Sequence, residues 1–459
     1  MSFYIMTHLD IKTMIEQQYI DLFQEYRKDI DSNSVDVMNE QRDAAFDIFK
    51  EMGFPTSKIE EYIHSDISRA FDANLGLNIK DIPIPVNPYD TFKCDVPNLA
   101  TNLHFLVNDR YYENNHQVEG LPKGVFAGGM KEFAKLHPTL FKEYYGKGGD
   151  YSKDGLVAYN TMFAPDGFVL YIPKGVEIDK PLQLINILRG GVDLSVNRRI
   201  LIIAEAGAKA KLLICDHAVD DVHFVVTQVS EIFAAESSEI DFYELEENST
   251  KVTRLSSLYT AQLSKSNVVA SNITLHNGYT RNNYRFRLLG ENAHATIGGL
   301  AIADKSQHVD NYAFLDHASP SCTSNELFKY VLQERSTGVF CGKILVEKDA
   351  QKTLAYQTNR NLVASPDAKM FAKPQLEIYA DDVKCSHGLT TGHLDDEAMF
   401  YLQARGIPQE EAKLLLMVAF TKDVLQLINI ESLKERLEYL IDKRFRGELM
   451  RCGNCNVCK

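Results

Sequence analysis

Apolar residues recur in two rhythms along this chain. Near its start, Ile11, Met14, Ile15, Leu22, Phe23 and Tyr26 follow an approximate 3.6-residue period, which predicts an amphipathic helix. The stretch 38–52 places Ala45, Phe46, Phe49 and Met52 on one face and predicts a second helix, ended by Gly53. An irregular segment follows, Pro55-Thr56-Ser57-Lys58-Ile59-Glu60-Glu61-Tyr62, and then Pro83, Pro85, Pro88 and Pro97 punctuate a linker. From about Thr101 to about Asp382 the rhythm changes to short runs rich in Ile, Val and Leu: 168–172, 182–188, 200–204, 211–215 and 224–229. Long helical patterns between these runs are missing, so a doubly wound α/β sheet, which needs crossover helices, is disfavoured. The helical rhythm then returns. Asp395-Asp396-Glu397 opens a helix through Ala398, Tyr401, Leu402 and Ala404 to Gly406, and Pro408 opens another. That second helix keeps Leu414, Leu415, Val418, Leu425 and Ile428 on one side. A third runs from Glu431 with Leu433, Leu437, Leu440, Ile441 and Phe445 on one stripe.

The corners between the strand-like runs echo one another. Glu205-Ala206-Gly207-Ala208, Glu236-Ser237-Ser238-Glu239, Gly290-Glu291-Asn292-Ala293 and Glu347-Lys348-Asp349-Ala350 each precede another apolar run. Repeated strand–corner–strand units suggest a solenoid, a parallel β-helix; because the spacing is irregular, a large β-sandwich with similar turns fits the pattern as well. The organisation that follows is an N-terminal helical region with its Pro-rich linker (1–100), a mainly β core (101–392) and a C-terminal helical region (393–459).

Composition narrows the function. The chain has 459 residues, 45% apolar and 24% charged, which is ordinary for a folded protein. Its net charge is −14, from 49 Lys and Arg against 63 Asp and Glu, and this argues against broad binding of nucleic acid or anionic membrane. No apolar run approaches the roughly 18 residues of a membrane helix, and the first ten residues lack a signal-peptide pattern. Five cysteines are scattered (Cys94, Cys215, Cys322, Cys341, Cys385), as expected of reduced thiols and a cytoplasmic location.

Two groups of residues have ligand chemistry. In Asp381-Asp382-Val383-Lys384-Cys385-Ser386-His387-Gly388, Cys385 and His387 share one face if the segment is a strand. Thiolate and imidazole both bind iron or zinc, but two ligands do not complete a site, and a buried Cys beside a hydrogen-bonded His is the plainer alternative. Cys452, Cys455 and Cys458 form Cys-x-x-Cys-x-x-Cys, which resembles the start of a ferredoxin cluster motif one ligand short. The other histidines among the strands, His294, His308 and His317, form no recognisable constellation. A Gly-x-Ser-x-Gly elbow and a Gly-x-x-x-x-Gly-Lys-Ser/Thr loop are both lacking, so neither hydrolase nor ATPase chemistry is expected of this chain.

Several segments together resemble the SufB/SufD family, scaffold proteins of the SUF iron–sulfur cluster assembly machinery, and within it the SufD branch. They are Asp382-Val383-Lys384-Cys385-Ser386-His387-Gly388, Thr391-Gly392-His393-Leu394-Asp395 and Phe400-Tyr401-Leu402-Gln403-Ala404-Arg405-Gly406-Ile407. Gly338-Val339-Phe340-Cys341-Gly342-Lys343-Ile344, Ala355-Tyr356-Gln357-Thr358-Asn359 and the Pro55 to Tyr62 segment are also similar. The SufB branch carries a Cys-Asp-Ser stretch after its last rungs, where the comparable region here, Leu362-Val363-Ala364-Ser365-Pro366-Asp367-Ala368, has no Cys, and Glu-His-Glu where this chain has Cys385-Ser386-His387. Leu389 replaces a usual Ala, and the terminal three-cysteine tail is not a family feature. The resemblance implies a right-handed parallel β-helix between helical ends and no independent enzyme activity. It further implies pairing with a SufB-like paralogue, and a homodimer when isolated. A nascent cluster would form at the interface with the paralogue, with His387 as candidate ligand, Cys385 as its neighbour and no cofactor held tightly by the chain alone. A SufC-like ABC ATPase would dock on the helices after Asp395, in the region of Tyr401, Arg405 and Phe420. Competing readings are a stand-alone iron or cluster carrier acting through Cys452, Cys455 and Cys458, and a carbohydrate-active β-helix enzyme.

Overall fold

The computed structural model describes residues 8–71, 74–91, 102–113 and 120–448; Cys94, Pro97 and the tail cysteines Cys452, Cys455 and Cys458 lie outside them. The helices before the first strand are α1 (His8–Glu25), α2 (Arg27–Ser32), α3 (Asp36–Asn39), α4 (Arg42–Met52) and the single turn α5 (Pro88–Thr91). Next come β1 (Leu103–Val107), β2 (Arg110–Tyr111), β3 (Phe126–Gly129), α6 (Met130–Leu136), α7 (Pro138–Tyr144) and α8 (Gly155–Phe163). The strands then run without further helices: β4 (Phe168–Ile172), β5 (Leu182–Leu188), β6 (Leu194–Ala204), β7 (Lys209–Ala218), β8 (Phe224–Ala234), β9 (Glu239–Glu247), β10 (Val252–Gln262) and β11 (Asn267–His276). They continue as β12 (Tyr279–Leu288), β13 (His294–Ala303), β14 (His308–His317), β15 (Thr323–Leu332), β16 (Thr337–Val346), β17 (Leu354–Val363), β18 (Lys369–Ile378) and β19 (Lys384–Gly392). The chain closes with α9 (Asp396–Ala404), α10 (Gln409–Leu425) and α11 (Glu431–Phe445).

From β4 onward successive strands alternate between two sheets, so each strand pairs with the strand two places on. One sheet runs β18-β16-β14-β12-β10-β8-β6-β4-β3 and the other β19-β17-β15-β13-β11-β9-β7-β5-β1-β2. The ladders from β4 to β19 are all parallel, which is a solenoid and excludes the antiparallel sandwich. The four echoing corners stack in one column between the sheets. Each rung of that column has a residue in the left-handed region: Gly175, Gly207, Ser237, Lys265, Asn292, Ser321 and Lys352. The amide of each donates to the corner carbonyl of the next rung, as Gly207 N to Glu236 O at 2.8 Å and Ser237 N to Ser264 O at 2.9 Å. A side chain costs about 1–2 kcal/mol in that conformation, and the corner-to-corner ladder offsets it. Corners and strands vary in length from rung to rung, which is why the repeat looks irregular in sequence.

Both outer faces are covered. The first helices and α8 bury Tyr19, Phe49, Phe54 and Tyr159 against Val225 and Leu255 of the β4–β18 sheet. The C-terminal helices bury Met417, Val424, Leu433 and Leu437 against Leu213, Tyr243 and Leu300 of the other sheet. Strands buried on both faces read as continuous apolar runs rather than alternating ones. Three local expectations change. The 38–52 helix is broken at Glu40 and Gln41 into α3 and α4. The middle region contains α6, α7 and α8; every residue of α8 is buried, so it has no polar face and leaves no periodic stripe. Leu415 points outward from α10, while Leu414 and Leu425 pack inward.

The Pro55 to Tyr62 segment ends in a strap across the β4–β18 sheet. Tyr62 lies under the Arg281 guanidinium at 4.2 Å, and Arg281 Nη1 donates to Glu61 O at 2.8 Å. Tyr312 donates to Glu61 at 2.8 Å, Glu60 pairs with Lys373, and His64 stacks on Phe371 at 3.9 Å. The strap therefore ties the N-terminal helices to the last rungs.

Candidate functional site

The two ends of the solenoid differ. At the first end, antiparallel β2 and β3 terminate the sheets. At the far end β18 and β19 are edge strands; the strap touches the outer face of β18 at Phe371 and Lys373, and among the described residues no further strand pairs with either edge. The contrast with the preceding rung is sharp: β16 is almost wholly buried, whereas β18 alternates exposed and half-buried and β19 is exposed along nearly its whole length. Phe371 is 37% exposed, Ile378 39% and Leu389 41%. Free strand edges with exposed apolar side chains are templates for pairing with another chain.

Register places the candidate ligands within this end. Cys385 pairs with Ala355 and His387 with Gln357 in the β17–β19 ladder. In-register parallel neighbours share a face. Ala355 and Cys385 belong to the interior core cluster, so Cys385 and His387 are both on the inward face, at the mouth of the solenoid. Opposite them on β18, the inward positions in register with Phe340, Gly342 and Ile344 are Ala372, Pro374 and Leu376. Burial pushes the Cys385 thiol above its ordinary value, partly offset by the Ala355 backbone amide, so the sulfur is protonated at neutral pH. Among the described residues no group of three or more His, Cys, Asp or Glu side chains is arranged to hold a metal ion. Cys385 and His387 by themselves therefore do not make up such a group.

Beneath His387 the same inward column holds Gln357, Glu326 and Ile297. Gln357 Nε2 donates to Glu326 Oε2 at 2.8 Å. Burial pushes the Glu326 carboxyl up to about 8, with the Gln357 hydrogen bond acting the other way, so it is largely uncharged at neutral pH. Sequence reading assigned neither residue a role. Nothing in the sequence distinguishes them, because β15 and β17 carry other polar residues such as Ser324, Asn359 and Asn361, and only register places Glu326 and Gln357 in the column under His387.

The remaining candidates are accounted for locally. His317 is fully buried against Ser324 at 2.8 Å, and burial lowers its pKa to about 4. His308 stacks on Tyr279 at 4.5 Å. Cys341 lies on the opposite face of β16 from the inward Phe340 and Gly342, near Gln375, and its thiol is raised by burial to about 11. In the motif after β19, His393 Nδ1 is 2.8 Å from Val363 O, and Asp395 caps α9 by accepting from the amides of Glu397 and Ala398. That stretch therefore shapes the turn from the last strand into the helices. On α9, Tyr401 and Arg405 are exposed and stacked at 4.3 Å, next to Phe400, which is 72% exposed. Phe420 lies elsewhere: on α10 it is half-buried against β15, under the Lys329 ammonium at 4.6 Å. The described helices include none long and apolar enough to cross a membrane.

Comparison with known proteins agrees with this architecture. Residues 187–420 match the family model described as "SUF system FeS cluster assembly, SufBD core domain", and residues 13–184 match "SufBD protein N-terminal region". The chain is 40% identical over 167 residues to iron–sulfur cluster assembly protein SufD of Escherichia coli; the aligned part is 36% of this chain and 40% of that protein. It is 26% identical over 420 residues to an iron–sulfur cluster assembly SufBD family protein of Synechocystis, covering 89% of this chain and 91% of the relative. With SufD of Bacillus subtilis it shares 24% identity over 329 residues, 71% of this chain and 75% of that one. The two family matches span both the strap-bearing N-terminal region and the solenoid, and the chain belongs to the SufBD family of iron–sulfur cluster assembly proteins.

Proposed function

We propose that this chain is a non-catalytic scaffold subunit of an iron–sulfur cluster assembly complex. In this reading its open solenoid end pairs with a SufB-like paralogue, or with a second copy when the chain is isolated. The observation that carries the reading is the uncapped last rung, with free edges on β18 and β19 and an imidazole and a thiol at its mouth. The nascent cluster is cargo. His387 contributes a ligand to it, Cys385 sits beside it, and the partner completes the set. The C-terminal helices, through Tyr401, Arg405 and the α10 segment around Phe420, dock a SufC-like ABC ATPase. Closing of two ATPase subunits beneath the paired solenoids would strain the seam and open it to iron and sulfide, because each rung contacts only its neighbours and passes displacement along the stack.

The test is an affinity purification of the tagged chain from its native cells, without oxygen, with mass spectrometry of what accompanies it. A second SufBD-type protein and an ABC-type ATPase are expected together. Recovery of the chain alone, carrying iron, would overturn the scaffold reading in favour of a carrier acting through Cys452, Cys455 and Cys458.

A further inference from the structure

The inward column that ends at His387 is apolar until its last three rungs. Its members are Leu182, Leu212, Phe242, Ala270 and Ile297, followed by Glu326, Gln357 and His387. The change to polar residues occurs only beside the open mouth. Glu326 and Gln357 are buried to within 1% exposure, so their presence costs desolvation that apolar residues would avoid. Space has been made for them. A Cβ on Gly342, in the facing sheet, would come within 2.2 Å of Gln357 Nε2, so the glycine lets the amide reach across the interior. That amide is half used: Nε2 donates to Glu326, while Oε1 is buried and without a hydrogen-bond partner among the described residues. Buried acceptors are normally satisfied. His387 is the next residue of the column, one strand spacing of about 4.8 Å away.

We propose that Gln357, held by Glu326, is a positioning residue for His387: its Oε1 accepts one ring N–H of His387, fixes a single tautomer and leaves the other nitrogen free at the mouth as the ligand. The inference rests on the reading of His387 as a ligand, and it deepens that reading. Metal-binding histidines generally donate their second ring nitrogen to a carbonyl or carboxylate, which orients the ring and raises its basicity. Here the carbonyl is a side-chain amide. Its own orientation is set from below by the Glu326 carboxyl, which makes no ion pair in the column, and Ile297 closes the column beneath.

The experiment is long-range 1H–15N NMR of the full chain labelled at its 13 histidines, with the His387 signals assigned by their loss in a His387→Ala chain. Wild type is expected to show His387 as one fixed neutral tautomer. Gln357→Leu and the longer Gln357→Met should both convert it to the averaged ring of a free imidazole while the other histidine signals stay in place. In the purified complex, Gln357→Met should weaken iron binding by about 10- to 100-fold. A wild-type ring already averaging between tautomers, or one that stays fixed in both variants, overturns the proposal. Failure of the ligand reading is separate: there the His387→Ala complex would bind iron as wild type does, whatever the tautomer.

Discussion

Cells whose only copy of this chain carries His387→Ala should mature iron–sulfur enzymes no better than cells lacking the chain. His387 is exposed on the last strand, and the one hydrogen bond proposed for it, to the Gln357 side chain, orients the ring and does not hold the fold together. Surface substitutions of that kind usually change stability by no more than about 0.5 kcal/mol. The variant chain should therefore accumulate normally, bind its partners and unfold at the wild-type midpoint. Under the proposed function, what it loses is one ligand atom at the seam, with only Cys385 beside it on that face. The activity of an iron–sulfur dehydratase in extracts, compared between wild-type, variant and deletion strains, reads the effect directly. Wild-type activity in the variant would remove His387 from the mechanism.

The largest effect on stability is expected from Arg254. Inside the solenoid, near the corners opposite the left-handed column, lies a buried ionic network. Arg254 donates to Glu246 at 2.7 Å, to Glu244 at 2.5 Å and to Asn282 at 2.7 Å, and it pairs with Asp216 at 2.9 Å. Arg198 donates to the same Asp216 at 2.6 Å. Asn272 and Asn277 donate to Glu246, and Gln228 to Glu244. Burial pushes the Asp216 carboxyl up, but Arg198 and Arg254 together outweigh it and hold the pKa below its ordinary value. For Glu244 burial prevails over Arg254, and the pKa is raised. Removing Arg254 leaves Glu244 and Glu246 buried without their cation and Asp216 with Arg198 alone. Breaking a single buried pair costs about 3–5 kcal/mol, and Arg254→Met breaks contacts to all three. The variant is expected in the insoluble fraction, or soluble with a greatly lowered urea midpoint. Adding Glu244→Gln removes one stranded charge and should recover part of the loss, since residues in one network couple. A soluble Arg254→Met chain with the wild-type midpoint would contradict this account of the interior.

These two sites mark what the sequence could and could not convey. The solenoid is legible because strands buried on both faces leave unbroken runs such as 182–188, and because the corner at Gly207 recurs at Ser237, Asn292 and beyond. The helices α1, α4, α10 and α11 are legible because each packs one face inward and leaves the other to solvent. Helix α8 is not, since it is buried all round and carries no stripe. Nor is the Arg254 network: adjacent acids in sequence are normally solvated, and Arg198, Asp216, Glu244 and Arg254 meet only through the pairing of alternate strands. At the candidate site, spacing is enough to put Cys385 and His387 on one face of a strand. That this strand is the last and uncovered one, and that Gln357 and Glu326 lie beneath His387, are properties of register. The Pro55 to Tyr62 segment is visible in sequence as a motif, yet its place as a strap over Arg281 and Tyr312 depends on contacts more than 200 residues apart.

The central claim is that the open end of the solenoid is where this scaffold meets its partner. Lysine-directed cross-linking with mass spectrometry, applied to the complex purified without oxygen, tests it most directly, because Lys369 and Lys384 are exposed at the starts of the two edge strands. The account predicts cross-links from both lysines to the last rungs of a second SufBD-type chain. Cross-links to that chain from the helical ends alone, with Lys369 and Lys384 left as reactive as in the free protein, would contradict it.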